Sequence, residues 1–260
     1  MKKKQLEKIH NWLQSYSESF LSQSKKFRVS LVPRMNHITR VADNCRLLGE
    51  QLGWSKSDKN IIEALGLLHD VGRFSQYADF GTFDDKDSLQ HSDRSFEVAE
   101  HSGILDGLKP ETHRIMADGI RHHNTKKPPQ DIHPDSWTFI SLLRDADIID
   151  KMHITLDLVV EHTQNGRLSM VSDGPLSSDI ADSIRAGVKA SKRHIDTTLD
   201  FFLFRLSAVF SMTWPEATRL LDERNSVADI GNHLPDEKAI RRLMTSMIHF
   251  IGEKSNVKNS

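Results

Sequence analysis

The chain has 260 residues, which is enough for one domain with a sizeable core or for one domain with an appended helical region. Its 35 Lys and Arg residues balance 36 Asp and Glu residues, and the formal charge of -1 gives no global field that would attract nucleic acid or an anionic membrane. One cysteine, Cys45, excludes a disulfide within the chain and fits a reducing cytosol.

Neither a signal peptide nor a membrane span is predicted. The basic N-terminus is not followed by the apolar segment that a signal peptide requires, and the longest apolar patches are too short to cross a bilayer. We therefore expect a cytoplasmic protein that binds neither nucleic acid nor membrane. The unusual number is 14 histidines, because histidine is the commonest metal ligand and the usual acid–base residue near neutral pH.

The spacing of apolar residues predicts helices through most of the chain. In the first part they cover about residues 3–22, 36–52, 57–69, 91–102, 111–123 and 136–151. Between them, residues 72–90 lose the helical pattern, and two glycines with four aspartates predict a long exposed loop there. In the second part helices are predicted over about residues 153–164, 177–193, 196–211, 215–223 and 235–252.

No run of alternating residues bounded by turns competes with these helices, so we predict an all-α fold. We expect a helical bundle over residues 1–165, including the N-terminal helix, and a C-terminal helical extension over residues 166–260 that packs on it to form one structural unit. The aromatic segment from Phe201 to Trp214 has helical spacing that favours a place in the core over a dimer surface, and a homodimer is not excluded.

The pair His69-Asp70 is the most informative feature. It follows the apolar run of residues 61–68. A carboxylate at that position is exposed at the helix end, binds a metal ion, or forms an ion pair with a cationic side chain. Adjacent imidazole and carboxylate groups offer two metal ligands at one point.

Other candidate ligands lie on successive predicted helices. His37 lies on an apolar stripe and, taken alone, reads as a core histidine. His91 begins a helix, and taken alone it could be an ordinary exposed residue at the helix N-terminus. His122 and His123 end a helix, where a cationic histidine is also favourable. Asp145 and Asp147 point about 200° apart around a helix, so at most one of them faces a metal in the core.

The ordered set resembles the HD-domain metal-dependent phosphohydrolase superfamily. The resemblance rests on His69-Asp70-Val71-Gly72-Arg73-Phe74, Gly81-Thr82-Phe83 followed by His91, Ile120-Arg121-His122-His123-Asn124, and Arg144-Asp145-Ala146-Asp147-Ile148-Ile149-Asp150. These motifs look like those of an uncharacterised bacterial subgroup of HD-domain hydrolases. The resemblance covers about residues 30–155 and implies a helical HD-domain core.

The resemblance also implies a ligand set. Four ligands for a core metal match His37, His69, Asp70 and Asp147, since the family pattern places the last of them three residues before a second aspartate, here Asp150. Ligands for a second metal match His91 and His123, with His122 as an alternative to His123. Asp70 would then bridge two ions. Many relatives carry lysine directly after the last ligand, where this chain has Ile148; Lys151 or Arg144 could take its place.

Such ligands suit one or two divalent transition metal ions, Mn, Fe, Co, Ni or Zn, rather than Ca. A bound ion makes hydroxide available near neutral pH, and two ions clamp the oxygens of a phosphoryl displacement. We assign catalytic roles to Asp70, which would orient the water and accept its proton, and to Arg73, which would offset phosphoryl charge unless it pairs with the aspartate-rich loop. Further anion candidates are Arg121, Lys126 and Lys127.

The predicted function is that of a metal-dependent phosphohydrolase whose partner is a small-molecule phosphate ester or nucleotide. Two other functions fit the same ligands. One is a mixed-valence di-iron oxygenase, a chemistry that a minority of six-ligand HD sites support. The other is a non-catalytic nucleotide-binding regulatory module.

Overall fold

The computed structural model describes residues 1–85, 90–125, 129–163 and 174–257, and these residues form helices, turns and connecting segments with no β-strand. The all-α prediction is confirmed. The chain divides into two compact units, Met1–Ala146 and Asp147–Ser260. The division predicted at residue 165 lies outside the described residues and stays a prediction. None of the helices in the described ranges has the length and apolarity that a bilayer crossing needs.

The described residues of the first unit form six complete helices and the beginning of a seventh. They are α1 (Lys3–Leu21), α2 (Lys25–Gln51), α3 (Lys56–Leu68), α4 (Gly72–Phe80), α5 (His91–His101), α6 (Pro110–His122) and α7 (Pro134–Thr163). Helix α2 begins eleven residues before the predicted start, with Ser24 as N-cap and Pro33 within it. The helix continues through Pro33 although proline is unfavourable inside helices.

Helix α4 corrects the prediction of a long exposed loop over residues 72–90. Phe74 and Tyr77 are buried, and Gly81 ends the helix in the left-handed conformation with φ of 66°. The predicted loop begins with Gly72, whose role is close packing: a Cβ there would lie 2.5 Å from the backbone nitrogen of Ser95 on α5. This contact brings α4 against α5, which carries His91.

A second close approach joins α2 and α3. A Cβ on Gly66 would lie 2.6 Å from Cα of Ala42, so only glycine lets the two backbones come this near. Around the contact lie the fully buried side chains of Ile38, Leu65 and Leu68. The packing holds the middle of α2, with His37, beside the end of α3, where His69 and Asp70 follow.

Helix α7 is continuous over residues predicted to form two helices, 136–151 and 153–164. Its interior contains no glycine or proline that would interrupt it, and Met152, at the predicted break, is fully buried. The boundary between the two compact units falls within this helix, after Ala146.

The second unit begins within α7 and continues through five further α-helices. They are α8 (Ser178–Arg185), α9 (Thr198–Leu206), α10 (Pro215–Glu223), α11 (Ser226–His233) and α12 (Lys238–Ser255), with short 3-10 helices at Lys192–His194 and Ser207–Ser211. Helix α11 was not predicted; Asn225, at φ of 55°, separates it from α10. Phe202, Leu203 and Val209 of the aromatic segment are fully buried, while Phe201, Phe204 and Phe210 are partly exposed.

Candidate metal centre

Five predicted ligands of the first unit come together in its interior. His37 lies on α2, His69 and Asp70 follow α3, His91 begins α5, and His123 follows α6; all five are buried. Their ligand atoms form two groups that share Asp70, one with His37 and His69 and the other with His91 and His123. Within each group the ligand atoms all lie within 4.8 Å of one another.

Two of these histidines owe their orientation to helix ends. Nδ1 of His69 lies 2.8 Å from the carbonyl oxygen of Gly66, and Nδ1 of His123 lies 2.8 Å from that of Ile120. A carbonyl can only accept, so each Nδ1 carries the proton and donates it. Each Nε2 is therefore left with a lone pair, which is the form in which histidine binds a metal.

The third histidine, His91, is oriented by a carboxylate. Its Nδ1 donates to Oδ2 of Asp85 at 2.7 Å, and its Nε2 accepts from the side-chain amide of Asn124 at 3.3 Å. Both contacts place the proton on Nδ1 and the lone pair on Nε2. The histidine–carboxylate pair is the arrangement that commonly supports metal-binding histidines.

The ligand atoms surround the carboxylate of Asp70. Its Oδ1 lies 3.5 Å from Nε2 of His91 and 3.7 Å from Nε2 of His123, and its Oδ2 lies 3.8 Å from Nε2 of His37. The Nε2 atoms of His37 and His69 are 3.4 Å apart.

These atoms fit a metal ion better than they fit one another. Within the described ranges Oδ1 of Asp70 is buried and has no hydrogen-bond partner, and the unprotonated Nε2 atoms of His91 and His123 lie 3.5 and 3.7 Å from it. Acceptors that face one another in a buried site are unfavourable without a cation between them. With metal–ligand bonds of about 2.1 Å, separations of this size correspond to angles of roughly 110–130° at an ion.

The electrostatics keep the ligands in their metal-binding forms. Burial lowers the pKa of His123 to about 3, with His69 and His91 acting in the same direction, so His123 is neutral near pH 7. Burial alone would raise the pKa of Asp70, but the adjacent histidines, when they are protonated, and the guanidinium of Arg73 hold it well below its usual value. Asp70 is therefore ionised.

Arg73 lies beside this carboxylate and is held by the connection between α4 and α5. Its Nη1 donates to Oδ1 of Asp85 at 2.9 Å, to the carbonyl oxygen of Phe83 at 2.8 Å and to Oε1 of Gln76 at 2.8 Å. Its Nε, which is buried, lies 3.8 Å from Oδ1 of Asp70. Arg73 thus pairs with an aspartate of the predicted loop and also faces the centre.

Asp85 is the functional residue that the sequence analysis missed. The sequence places it among four aspartates of a predicted exposed loop and gives it no separate role. The carboxylate of Asp85 instead contacts both His91 and Arg73. Its place six residues before His91 gives no periodic signal, because the intervening segment is not a helix.

The remaining predicted site residues are not members of the two histidine–aspartate groups. Asp147 is buried on α7 in the second unit and accepts a hydrogen bond from Lys151; its role as fourth ligand stays a prediction. Asp145 is buried as well. Of the adjacent histidines, His123 belongs to the metal-binding groups, whereas His122 is the half-buried last residue of α6.

The other anion candidates do not gain support. The guanidinium of Arg121 lies 3.5 Å from the ring centre of Phe96, a cation–π contact on an exposed part of α6. Lys126 and Lys127 lie outside the described residues.

Comparison with known protein families matched residues 34–155 to the HD domain. This chain contains an HD domain. The matched segment includes all six predicted metal ligands, from His37 to Asp147. Neither the curated proteins nor the solved structures gave a match. HD domains bind divalent metals and are generally metal-dependent phosphohydrolases, and this HD domain contains histidine–aspartate groups that could hold such an ion.

Proposed function

We propose that this HD-domain protein is a phosphohydrolase that uses a metal-activated water to cleave a small phosphate ester, with nucleotides among the candidate substrates. The observation that carries the proposal is the set of side chains around the carboxylate of Asp70. Oδ1 of this buried, ionised carboxylate lies 3.5 Å from Nε2 of His91, 3.7 Å from Nε2 of His123 and 3.8 Å from Nε of Arg73. A centre of this kind combines cation ligands with a fixed positive group for an anionic substrate.

The ligand chemistry limits which ions fit. His37, His69 and Asp70 would hold one divalent transition metal ion, and Asp70, His91 and His123 would hold a second. We further propose Asp147 as the fourth ligand of the first ion. Such ions lower the pKa of bound water and neutralise charge on a phosphoryl group. Imidazole and carboxylate ligands suit Mn, Fe, Co, Ni or Zn.

Asp70 and Arg73 have different roles in the proposed reaction. Asp70 would hold the ions, orient the attacking water by accepting its hydrogen bond and take up the proton that the water loses. Arg73 offers its buried Nε–H to a phosphoryl oxygen and stays positively charged throughout. The contacts of its Nη1 fix the direction of that donor.

The test is a hydrolysis assay on metal-loaded protein. Purified protein is loaded separately with Mn, Fe, Co, Ni or Zn and assayed on phosphomonoester and phosphodiester model compounds, nucleoside mono-, di- and triphosphates, and cyclic dinucleotides. We expect metal-dependent release of phosphate or nucleotide by the wild type, loss of it in Asp70→Ala, and its retention in Asp93→Ala, which removes an exposed carboxylate of α5.

Measurements of oxygen consumption and of thermal stability on the same metal-loaded proteins separate the other two functions. Activity that Asp70→Ala retains would contradict the proposal. Metal-dependent oxygen consumption without hydrolysis would indicate a di-iron oxygenase instead. Thermal stabilisation by a nucleotide without turnover would indicate a regulatory binding module.

A further inference from the structure

Asp85 connects two groups of the candidate centre through its two carboxylate oxygens. Oδ2 accepts from Nδ1 of His91 at 2.7 Å. Oδ1 accepts from Nη1 of Arg73 at 2.9 Å and from Nε2 of Gln76 at 3.2 Å. The side chain is about one-quarter exposed, at 26%, so these contacts lie at the edge of the buried centre and not in open solvent.

Arg73 and Gln76 can only donate, so Oδ1 of Asp85 must accept. The amide NH2 of Asn124 can only donate to Nε2 of His91, so the proton of the neutral ring is on Nδ1 and Oδ2 of Asp85 must accept as well. Arg73 cannot lose its proton in a protein, and the Nε2 group of Gln76 has no lone pair to offer. Only an ionised carboxylate gives two acceptor atoms in this geometry. The pKa of Asp85 agrees with this: burial raises it, but the combined effect of His91 and Arg73 brings it below the usual value.

The contact with His91 decides which nitrogen of that ring can bind a metal. With the proton on Nδ1, Nε2 of His91 carries the lone pair, and this nitrogen lies 3.3 Å from the amide nitrogen of Asn124 and 3.5 Å from Oδ1 of Asp70. With the proton on Nε2, the same nitrogen would instead donate to Asp70 and would occupy the direction that an ion needs. Asp85 therefore selects the metal-binding tautomer.

The contact with Arg73 orients the cation of the centre. Nη1 of Arg73 is held on Oδ1 of Asp85, and its Nε lies 3.8 Å from Oδ1 of Asp70. A closed path thus runs from Asp70 through His91, Asp85 and Arg73 back to Asp70. One carboxylate fixes both a ligand and the group that would meet an anionic substrate.

We infer that Asp85 is a positioning residue that sets the tautomer of His91 and the orientation of Arg73, and so couples binding of the second ion to placement of the substrate-facing cation. The inference rests on the proposed function for the part that concerns substrate. The part that concerns the second ion stands on its own, because it is measured without substrate.

The variant Asp85→Asn tests this because it keeps the shape and removes one acceptor. An amide has a single acceptor oxygen for donors on two sides, and a charge-assisted bond to Arg73 is stronger than a neutral one to His91. The amide NH2 then faces Nδ1 of His91 and drives the proton to Nε2. Loss of such an outer partner typically lowers metal affinity about 10- to 100-fold.

The experiment titrates metal-free protein with Mn²⁺ or Zn²⁺ by calorimetry and counts bound ions by elemental analysis after desalting. The wild type should bind two ions. Asp85→Asn should bind the first ion as the wild type does and the second about 10- to 100-fold more weakly. Asp85→Glu, which keeps two acceptor oxygens, should recover part of the loss. Asp93→Asn on α5 is the matched control and should bind both ions normally.

A second measurement reads the tautomer directly. Histidine ¹⁵N spectra of the metal-free protein should show His91 protonated on Nδ1 in the wild type and on Nε2 in Asp85→Asn. Two-ion binding with unchanged affinity in Asp85→Asn, or an unchanged tautomer, would overturn the inference. So would a wild type that binds one ion only. A wild type that binds two ions but hydrolyses no phosphoester would contradict the proposed function and leave the role of Asp85 intact.

Discussion

Oδ1 of Asp70 lies 3.7 Å from Nε2 of His123, and both side chains are buried. The proton of His123 is on its other nitrogen, where it donates to the carbonyl of Ile120, so no proton is available to join the two atoms. A buried carboxylate and a buried lone pair at this distance favour a shared cation.

The first prediction concerns the pH dependence of metal-free stability. The pKa of His123 is lowered to about 3 in the folded protein, whereas that of an unperturbed histidine is 6.5, so the unfolded chain binds more protons between these pH values. Stability is therefore lost as pH falls below about 6.5. From about pH 7.5 to about pH 5.5 this one group should lower the free energy of unfolding by about 1.4 kcal/mol.

Urea unfolding in the presence of a chelator at these two pH values measures the effect. His123→Gln should reduce the difference between them by about that amount, because the titrating group is gone. His122→Gln, one residue away at the end of α6, is the control and should keep the wild-type difference. Equal pH dependence in the wild type and His123→Gln would show that His123 is not held neutral by the fold.

The second prediction concerns Arg73. Arg73→Lys keeps the charge but loses the guanidinium fork that bonds Asp85 and Phe83 while Nε faces Asp70. We expect kcat/KM for the best phosphoester of the panel to fall about 10- to 150-fold, since a hydrogen bond to a charged group contributes about 1.5–3 kcal/mol.

Arg121→Lys is the comparison for Arg73→Lys, because Arg121 stacks on Phe96 and lies outside the centre. Steady-state kinetics should show a change of less than about twofold for this control. If Arg73→Lys were as active as the wild type, Arg73 would be a structural partner of Asp85 and not a substrate group.

The third prediction concerns Gly66. A Cβ in Gly66→Ala would lie 2.6 Å from Cα of Ala42, so α2 and α3 must separate. We expect a loss of about 1–3 kcal/mol in the free energy of unfolding. We also expect weaker binding of the first ion, because its ligand His37 lies on α2 and its ligand His69 directly follows α3.

Gly252→Ala on α12 is the matched control, because a Cβ there meets open space and alanine favours a helix by up to about 1 kcal/mol. Denaturant unfolding and metal titration are measured on both variants. A neutral Gly66→Ala with normal metal affinity would mean that the helix contact does not position the ligands.

The fourth prediction concerns the ligand proposed from α7. Asp147→Asn should weaken binding of the first ion by more than about 100-fold, because changes of outer partners alone cost about 10- to 100-fold. Asp145→Asn, on the opposite side of the same helix, should not. Both residues are buried, so thermal unfolding of the metal-free proteins is measured beside the titration. The reverse order of affinities would make Asp145 the ligand.

The sequence predicted the helices that have strong apolar periodicity and clear ends. Helices α1, α3, α5, α6 and α10 lie within one or two residues of their predicted ranges. Where local signals conflicted with packing, the prediction failed. Gly72 and four aspartates concealed α4, whose stability comes from buried Phe74 and from close contact with α5, neither of which local composition reveals.

The sequence likewise predicted some residues of the site and not others. The chain order of His37, His69-Asp70, His91 and His123 predicted residues that the fold brings together around one carboxylate. Asp85 was not predicted, because its contacts with His91 and Arg73 depend on the path of an irregular segment. Ligands on helix ends carry a sequence pattern, whereas a supporting carboxylate on a loop carries none.

The central claim is that the HD-domain centre holds two transition metal ions that share Asp70. Anomalous diffraction from crystals of the protein loaded with Mn²⁺ or Zn²⁺ tests it most directly. We predict two anomalous peaks, one among His37, His69 and Asp70 and the other among Asp70, His91 and His123, with the second peak lost in His123→Gln. The absence of any peak beside Asp70 in loaded crystals would contradict the claim.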